Sequence, residues 1–352
     1  MNIKNLGNIV HKSLHDRTFY GTAILCGNAE KTLFSLTDGF STQECRDLFT
    51  VNTVIDIASC TKVCACITAL LILHSRGLFD PDAPFTDYLP QYKAPLKEKI
   101  TVRDLANHTS GFHQGAPEPP RNRCYFDESG EKMRQNILTM SPPMPNSGQA
   151  HYSCWNYVLL AEIVEHLSGM KFADFCQKEI FDVLGMTSSA LGAPVSGTPE
   201  SRLARTENSP GYGAISDSVA YRLYRDGFSS GNAGMFSTAA DLEKLLKMYL
   251  NNGRYAPGRQ LFAPETGMLF QPRDYKKLED FRNFGWVICS SMLSEENTGK
   301  VLFHHGYSGQ TVAFDQERGL YVIILTSRYS NYVQAKQDRM TILNLLFENF
   351  SK

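Results

Sequence analysis

Residues Ser59-Cys60-Thr61-Lys62 run directly into Val63-Cys64-Ala65-Cys66-Ile67-Thr68-Ala69-Leu70-Leu71-Ile72-Leu73, with no helix breaker before Arg76-Gly77. A stretch this apolar on every side predicts a helix buried nearly all round, so the rest of the chain has to be built against it. If the helix begins at Ser59, serine and lysine lie one turn apart and hydroxyl and ammonium can meet. That pairing suits a nucleophilic serine whose proton is moved by Lys62. The same serine also reads as a plain N-cap on a core helix. Ser129 and Lys132, and Ser168 and Lys171, repeat the spacing. The first pair lies in a polar, Gly-containing stretch and the second at a helix end, so neither opens a buried helix. Only Ser59 joins the spacing to a helix N-terminus, where N–H groups and the dipole favour developing negative charge.

A chain of 352 residues has material for one large or two modest domains. Its 35 basic and 36 acidic residues leave a formal charge of −1 with no charge block, which argues against nucleic acid or an anionic membrane as partner. Met1-Asn2-Ile3-Lys4-Asn5-Leu6 lacks the apolar core of a secretion signal, and the apolar runs read as too short to span a bilayer. Nine cysteines without a Cys-x-x-Cys pair point to reduced structural thiols. The expectation is therefore a cytoplasmic protein, or a periplasmic or extracellular one if a leader has been removed.

Taken in order, Leu6, Ile9, Val10 and Leu14 suit an amphipathic helix over 4–15, and Phe19 to Leu36 a hairpin turning near Gly27-Asn28. Phe85 to Pro90 reads as irregular. Thr101-Val102-Arg103-Asp104 is a capping-box start for a helix through about His108. His113 to about Asn146 reads as a long surface connection of the kind that roofs a site. Helices follow over 155–168, stopped by Gly169, and over 172–184, stopped by Gly185. Residues 196–234 read mostly as loop. Thr238 caps a helix to about Leu250, strands follow at 286–291, 301–304, 311–315 and 320–326, and a helix over 336–350 closes the chain. Strands at both ends with helices between them predict an α+β fold. In it a discontinuous sheet domain (1–76 and 284–352) is interrupted by a mainly helical one (77–283), with a cleft between them.

For Ser59 to act in acyl transfer it needs a base, donors for an oxyanion and shelter from water. Burial is expected to lower the pKa of Lys62 enough for it to accept a proton. Tyr152 is a second candidate where cations stabilise its phenolate. The third is Phe303-His304-His305-Gly306-Tyr307-Ser308-Gly309, between two strands, where the glycines permit close backbone approach. Taken singly, Tyr152 also reads as a helix-start tyrosine and His304 as a sheet-edge histidine. Nothing at a telling spacing supplies a third metal ligand, and the reading calls for no metal and no cofactor. Gly227-Phe228-Ser229-Ser230-Gly231 matches the nucleophile elbow of a different hydrolase class. It lacks the buried strand before it and the helix directly after it, so Ser229 is disfavoured.

In order, these motifs resemble the serine β-lactamase-like family, in the branch holding class C β-lactamases, D-alanyl-D-alanine carboxypeptidases and family VIII carboxylesterases. Ser59-Cys60-Thr61-Lys62 is similar to its S-x-x-K, and Asp104-Leu105-Ala106-Asn107-His108-Thr109-Ser110-Gly111 to its L-L-x-H-T-S-G. Tyr152-Ser153-Cys154 falls where Y-x-N is expected and His304-His305-Gly306 where K-T-G or H-x-G would stand. Leu184-Gly185-Met186, the run from Ala233 to Leu242 and Phe284-Gly285-Trp286 are further landmarks. The resemblance implies a β-lactamase/transpeptidase-like fold, an antiparallel sheet flanked by helices. It implies that Ser59 is acylated, that Lys62 and Tyr152 share acid/base duty, and that the N–H groups of Ser59 and Tyr307 form the oxyanion hole. His304 would bond Tyr152 or the substrate, with Cys154, His305 and Gly306 lining the substrate site. Two departures bear on substrate. Cys154 replaces an amide that both donates and accepts with a weak thiol donor. His304 replaces the lysine of true β-lactamases. The implied activity is that of a carboxylesterase or D-peptidase/amidase on a small ester, amide or D-peptide, rather than an efficient β-lactamase. A member that has lost turnover and serves in binding is the alternative.

Overall fold

The structure, a computed structural model, describes residues 4–44, 46–112, 129–139, 150–206, 211–228, 230–271, 281–328 and 331–350. Helix α1 (Lys4–His15) leads into β1 (Phe19–Gly27) and β2 (Thr32–Gly39), then a short β3 (Ile55–Asp56). The apolar stretch follows as a helical rod from Ala58 to Ser75, whose last two turns are α2 (Thr68–Ser75). Next come α3 (Phe85–Tyr88), α4 (Val102–Asn107), α5 (Gly130–Thr139), α6 (Cys154–Ser168), α7 (Phe172–Cys176) and α8 (Asp182–Leu184). After β4 (Ala190–Leu191) stand α9 (Ser218–Arg225), β5 (Met235–Ser237) and α10 (Ala239–Leu250), then β6 (Arg254–Ala256) and β7 (Arg259–Gln260). Strands β8 (Phe281–Asn283), β9 (Trp286–Cys289), β10 (Leu302–His305), β11 (Thr311–Asp315) and β12 (Leu320–Arg328) precede α11 (Tyr332–Phe350).

Seven strands form one antiparallel sheet in the order β2-β1-β12-β11-β10-β9-β8, so the chain's first hairpin pairs with its last strand. Alternation along each strand divides the side chains between two cores. Leu25, Leu302, Val312, Phe314, Ile323 and Leu325 pack toward the rod, whereas Ile24, Phe303, Ala313, Val322 and Ile324 pack toward α1 and α11. Against the sheet's rod-facing side an aromatic cluster gathers. Phe314 stacks on Tyr249 with ring centres 5.3 Å apart and meets the edge of Trp286 at 4.9 Å. Edge-to-face and offset contacts of this kind add to the burial of large apolar area.

The rod from Ala58 to Ser75 is long and apolar enough, by length and composition, to cross a bilayer, contrary to the expectation that no run was. It is instead 83% buried inside the protein, where it forms the core. The capping box at Thr101 forms as read, with Thr101 accepting from the Asp104 N–H and Asp104 accepting in return. Helix α6 stops at Gly169 in the left-handed conformation. Three readings need correction. Phe85 to Tyr88 is a helical turn rather than irregular, and the connection after His113 contains α5, while 113–128 and 140–149 lie outside the described residues. The stretch 196–234 carries α9, whose N-cap Asp217 accepts from the Ala220 N–H at 2.9 Å. Its eight residues are too few to display a period among the surrounding glycines. Strand β8 and the three-stranded β3-β5-β4 sheet were also not foreseen, being two or three residues per strand.

Removing a ring from the aromatic cluster leaves a cavity that the sheet and rod cannot close. Phe314→Ala is expected to cost about 3–5 kcal/mol, read from the urea midpoint at unchanged m-value.

Candidate active site

Ser59 lies inside a 3₁₀ turn (Ala58–Cys60), and the rod continues as a π-helical segment (Lys62–Ile67) before becoming α2. Tertiary ties impose this shape. Ala58 is held at φ +46°, a left-handed conformation that L-residues avoid, by Asp56 Oδ1 accepting its N–H at 2.8 Å. The other oxygen of Asp56 accepts from the Ser216 N–H at 2.8 Å and hydroxyl at 2.6 Å. Burial pushes the Asp56 carboxyl up, against these donors. Lower down, the π segment widens the helix, and Thr68 Oγ1 donates to the Val63 carbonyl at 2.9 Å. The hydroxyl of Ser59 caps no backbone N–H. It accepts from Tyr152 OH at 2.8 Å and from Lys62 Nζ at 3.2 Å.

Lys62 is fully buried, and its ammonium also donates to the Asn232 carbonyl at 2.8 Å. That carbonyl reaches it because Gly231 lets two backbones touch. A Cβ at Gly231 would lie 2.5 Å from the Tyr157 carbonyl and 2.7 Å from Cys66 Sγ. Two rings flank the ammonium, Tyr152 with its centre at 4.8 Å and Tyr157 at 5.4 Å. Burial acts to lower the lysine pKa, as the sequence reading expected. The negative charge that Tyr152, Cys154 and Asp217 can carry outweighs it, so Lys62 sits above the ordinary lysine value. Burial in turn raises Tyr152, with Lys62 opposing. At neutral pH the pair therefore rests as ammonium and phenol.

Tyr152 is seated on the His108 ring, centres 4.5 Å apart, and the Arg282 guanidinium lies 5.5 Å from its ring centre. His108 Nδ1 accepts from the Ser153 N–H and faces Asn156 Nδ2, both at 3.1 Å, which places its own proton on Nε2. Arg282, Asn232 and Asp217 were not singled out from sequence. A carbonyl acceptor leaves no mark in residue type, although the Gly231 to Gly234 run marks a backbone that approaches something closely.

The four residues read as catalytic do not all touch. His304 shares the sheet face of Leu302, toward the rod, but bonds neither Tyr152 nor Ser59. Its Nδ1 faces the His305 carbonyl at 3.0 Å, and among the described residues its buried Nε2 has no hydrogen-bond partner. His305 is a correction to the substrate site. One residue on in the strand, it falls on the opposite face with Phe303, bonded to Thr311 at 3.0 Å and close to Arg339 and Lys336 of α11. Gly306 does approach the nucleophile turn, since a Cβ there would meet the Ile57 carbonyl at 2.7 Å. This sets the following residue, Tyr307, beside the turn, its ring 42% exposed and stacked on Tyr332. Cys154 is buried at the start of α6, beside the Asn232 side chain, its thiol pushed by burial up to about 11. Ser229 lies outside the described residues. Among the described residues no cluster of metal-binding side chains occurs, and the seven described cysteines are buried and form no disulfide with one another.

The beta-lactamase family model matches residues 6–347. The chain belongs to that family. A protein of Escherichia coli strain K12, provisionally named a D-alanyl-D-alanine carboxypeptidase, is 26% identical over 310 residues, 79% of this chain and 70% of its own. A class C beta lactamase from Rhodobacter sphaeroides superposes with a TM-score of 0.73 at 20% identity, covering 98% of this chain and 99% of its own. A beta-lactamase/D-alanine carboxypeptidase from Pseudomonas syringae gives 0.77 at 15% identity, covering 98% of each. The two structures establish the β-lactamase/transpeptidase-like fold, and the family model establishes membership.

Burial first, then Arg282 and Lys62, hold His108 and His304 well below the ordinary histidine range. Each is expected to stay neutral where free histidine takes up its proton, at pH about 6.5, in a ¹H–¹³C NMR titration of the Cε1 resonances. Unfolded histidine gains a proton below pH about 6.5 and these do not, so both draw stability down as pH falls through that value.

Proposed function

We propose that this family member is a serine hydrolase that works through an acyl-enzyme on Ser59. The observation that carries the reading is the single oxygen of Ser59 held at 2.8 Å by a phenol and 3.2 Å by a buried ammonium. In this reading Ser59 Oγ attacks an acyl carbon while its proton passes to the Lys62–Tyr152 couple, which has first released one proton to solvent. The N–H groups of Ser59 and Tyr307 receive the oxyanion. The couple then returns the proton to the departing alcohol or amine, and water, activated by the same couple, releases the acyl group. The three side chains act as a unit, so loss of one disables the others.

The substrate class we favour is a small ester, D-peptide or amide rather than a β-lactam. The E. coli relative's provisional name supports the peptide. Histidine at 304 supplies no fixed cation for a β-lactam carboxylate, since it is neutral at pH 7. The thiol of Cys154, also neutral at pH 7, is a weak partner for a substrate amide. That second feature also suits a protein that acylates and stalls.

Both readings are separated by intact-mass detection of adducts across ester, D-alanyl-D-alanine and penicillin probes, alongside turnover of p-nitrophenyl butyrate. An enzyme gives turnover that Ser59→Ala abolishes, with Lys62→Met and Tyr152→Phe each lowering kcat/KM by roughly 10²–10⁴. A stalled member gives adducts that persist without turnover. Full activity in Ser59→Ala overturns both.

Because neighbouring negative charge sets Lys62, and burial sets Tyr152, above their ordinary values, the couple releases its proton only in the alkaline range. The kcat/KM profile is expected to climb from pH 6 and still be climbing at pH 9. An inflection near pH 6.5 would instead assign the base to a histidine.

A further inference from the structure

We propose that Asp217 is a positioning residue for Lys62, acting through Asn232 to hold the ammonium against Ser59. The inference rests on the acyl-enzyme reading above and adds a residue to it. Asp217 Oδ1 accepts from Asn232 Nδ2 at 3.0 Å, and the carbonyl of that same fully buried asparagine accepts from Lys62 Nζ at 2.8 Å. The carboxylate thus fixes the residue whose backbone fixes the lysine. Its neighbour in sequence, Ser216, is bonded to Asp56, which in turn holds the left-handed Ala58 before the nucleophile. Two consecutive residues, Ser216 and Asp217, therefore clamp the serine's turn and the lysine's acceptor from one short segment.

The clamp is also electrostatic. Around Lys62 stand Tyr152, Cys154 and Tyr157 from α6 and its approach, Cys66 from its own rod, His108 after α4 and His304 on β10. Among these groups the phenols and thiols are raised and the imidazoles lowered, which leaves all of them uncharged at neutral pH. Arg282 contributes positive charge beside Tyr152, 5.5 Å from its ring centre. No carboxylate lies within ion-pair distance of Lys62 among the described residues, so the relayed one is the negative charge that balances it. Asp56 belongs to the serine's side of the clamp, with its own carboxyl raised by burial.

Asp217→Asn separates charge from scaffold. Asparagine keeps an oxygen for Asn232 and is as good an N-cap for α9, so the fold is retained while the charge is lost. The measurement is the rate of Ser59 phosphonylation by an alkyl fluorophosphonate, followed by intact mass from pH 6 to 10, with thermal melts as the folding check. The ascending limb is expected to move to lower pH in Asp217→Asn, labelling at pH 8 rising roughly 3–10-fold, because a nearby anion no longer opposes loss of the couple's proton. Asp217→Ser, also an N-cap residue, is the second variant and moves the limb the same way. A limb that stays in place in both variants overturns the role of Asp217. Labelling of Ser59→Ala at the wild-type rate instead overturns the acyl-enzyme reading itself.

Discussion

An ammonium group removed from water without an ion pair costs several kcal/mol unless its hydrogens are satisfied. Lys62 is in that position, at 0% exposure. The protein satisfies it with the Asn232 carbonyl, the Ser59 hydroxyl and two aromatic faces, each drawn from a different part of the chain. These ligands explain much of the architecture around it. Gly231 exists where a side chain would keep Asn232 away, and the π-helical segment widens the rod where Cys66 meets Gly231. Helix α6 begins where Tyr152 and Tyr157 can lie over the cation. A site built to hold a charge in this way gives the hydroxyl beside it a fixed donor.

Fixing the serine is a separate problem, solved by backbone strain. Ala58 in the left-handed region is unfavourable by about 1–2 kcal/mol, and Asp56 offsets it with a hydrogen bond to the Ala58 N–H. Thr61 adds a second tie, donating to the Ala58 carbonyl at 2.6 Å and accepting from the Met235 N–H at 3.1 Å. The nucleophile turn is thus held by β5 and the segment before α9 rather than by its own helix, which is why its first turn is 3₁₀.

What was legible in the sequence is what local chemistry decides. The rod, the Thr101 cap, the stop at Gly169 and the long strands follow from periodicity, capping and left-handed glycine, and all appear in the structure. What was not legible depends on contacts between distant segments. The π geometry, the proton held by Lys62 and the acceptor role of Asn232 arise from tertiary ties that no local pattern encodes. The two histidines show the boundary sharply. Their adjacency on a strand already fixes them on opposite faces, yet only the packing of α11 identifies which one leaves the site.

Cys154 takes its meaning from the same packing. A thiol at the start of α6 would look like a lost function if the amide it replaces were the lysine's partner. Here the lysine's carbonyl comes from Asn232, whose own amide is anchored to Asp217 and whose side chain also lies against the thiol. Burial raises the thiol and Lys62 opposes that rise, so it stays neutral at pH 7 beside Asn232. The polar work sits instead on the segment just before β5, 170 residues beyond Lys62. Asn232, rather than residue 154, therefore holds Lys62 beside Ser59.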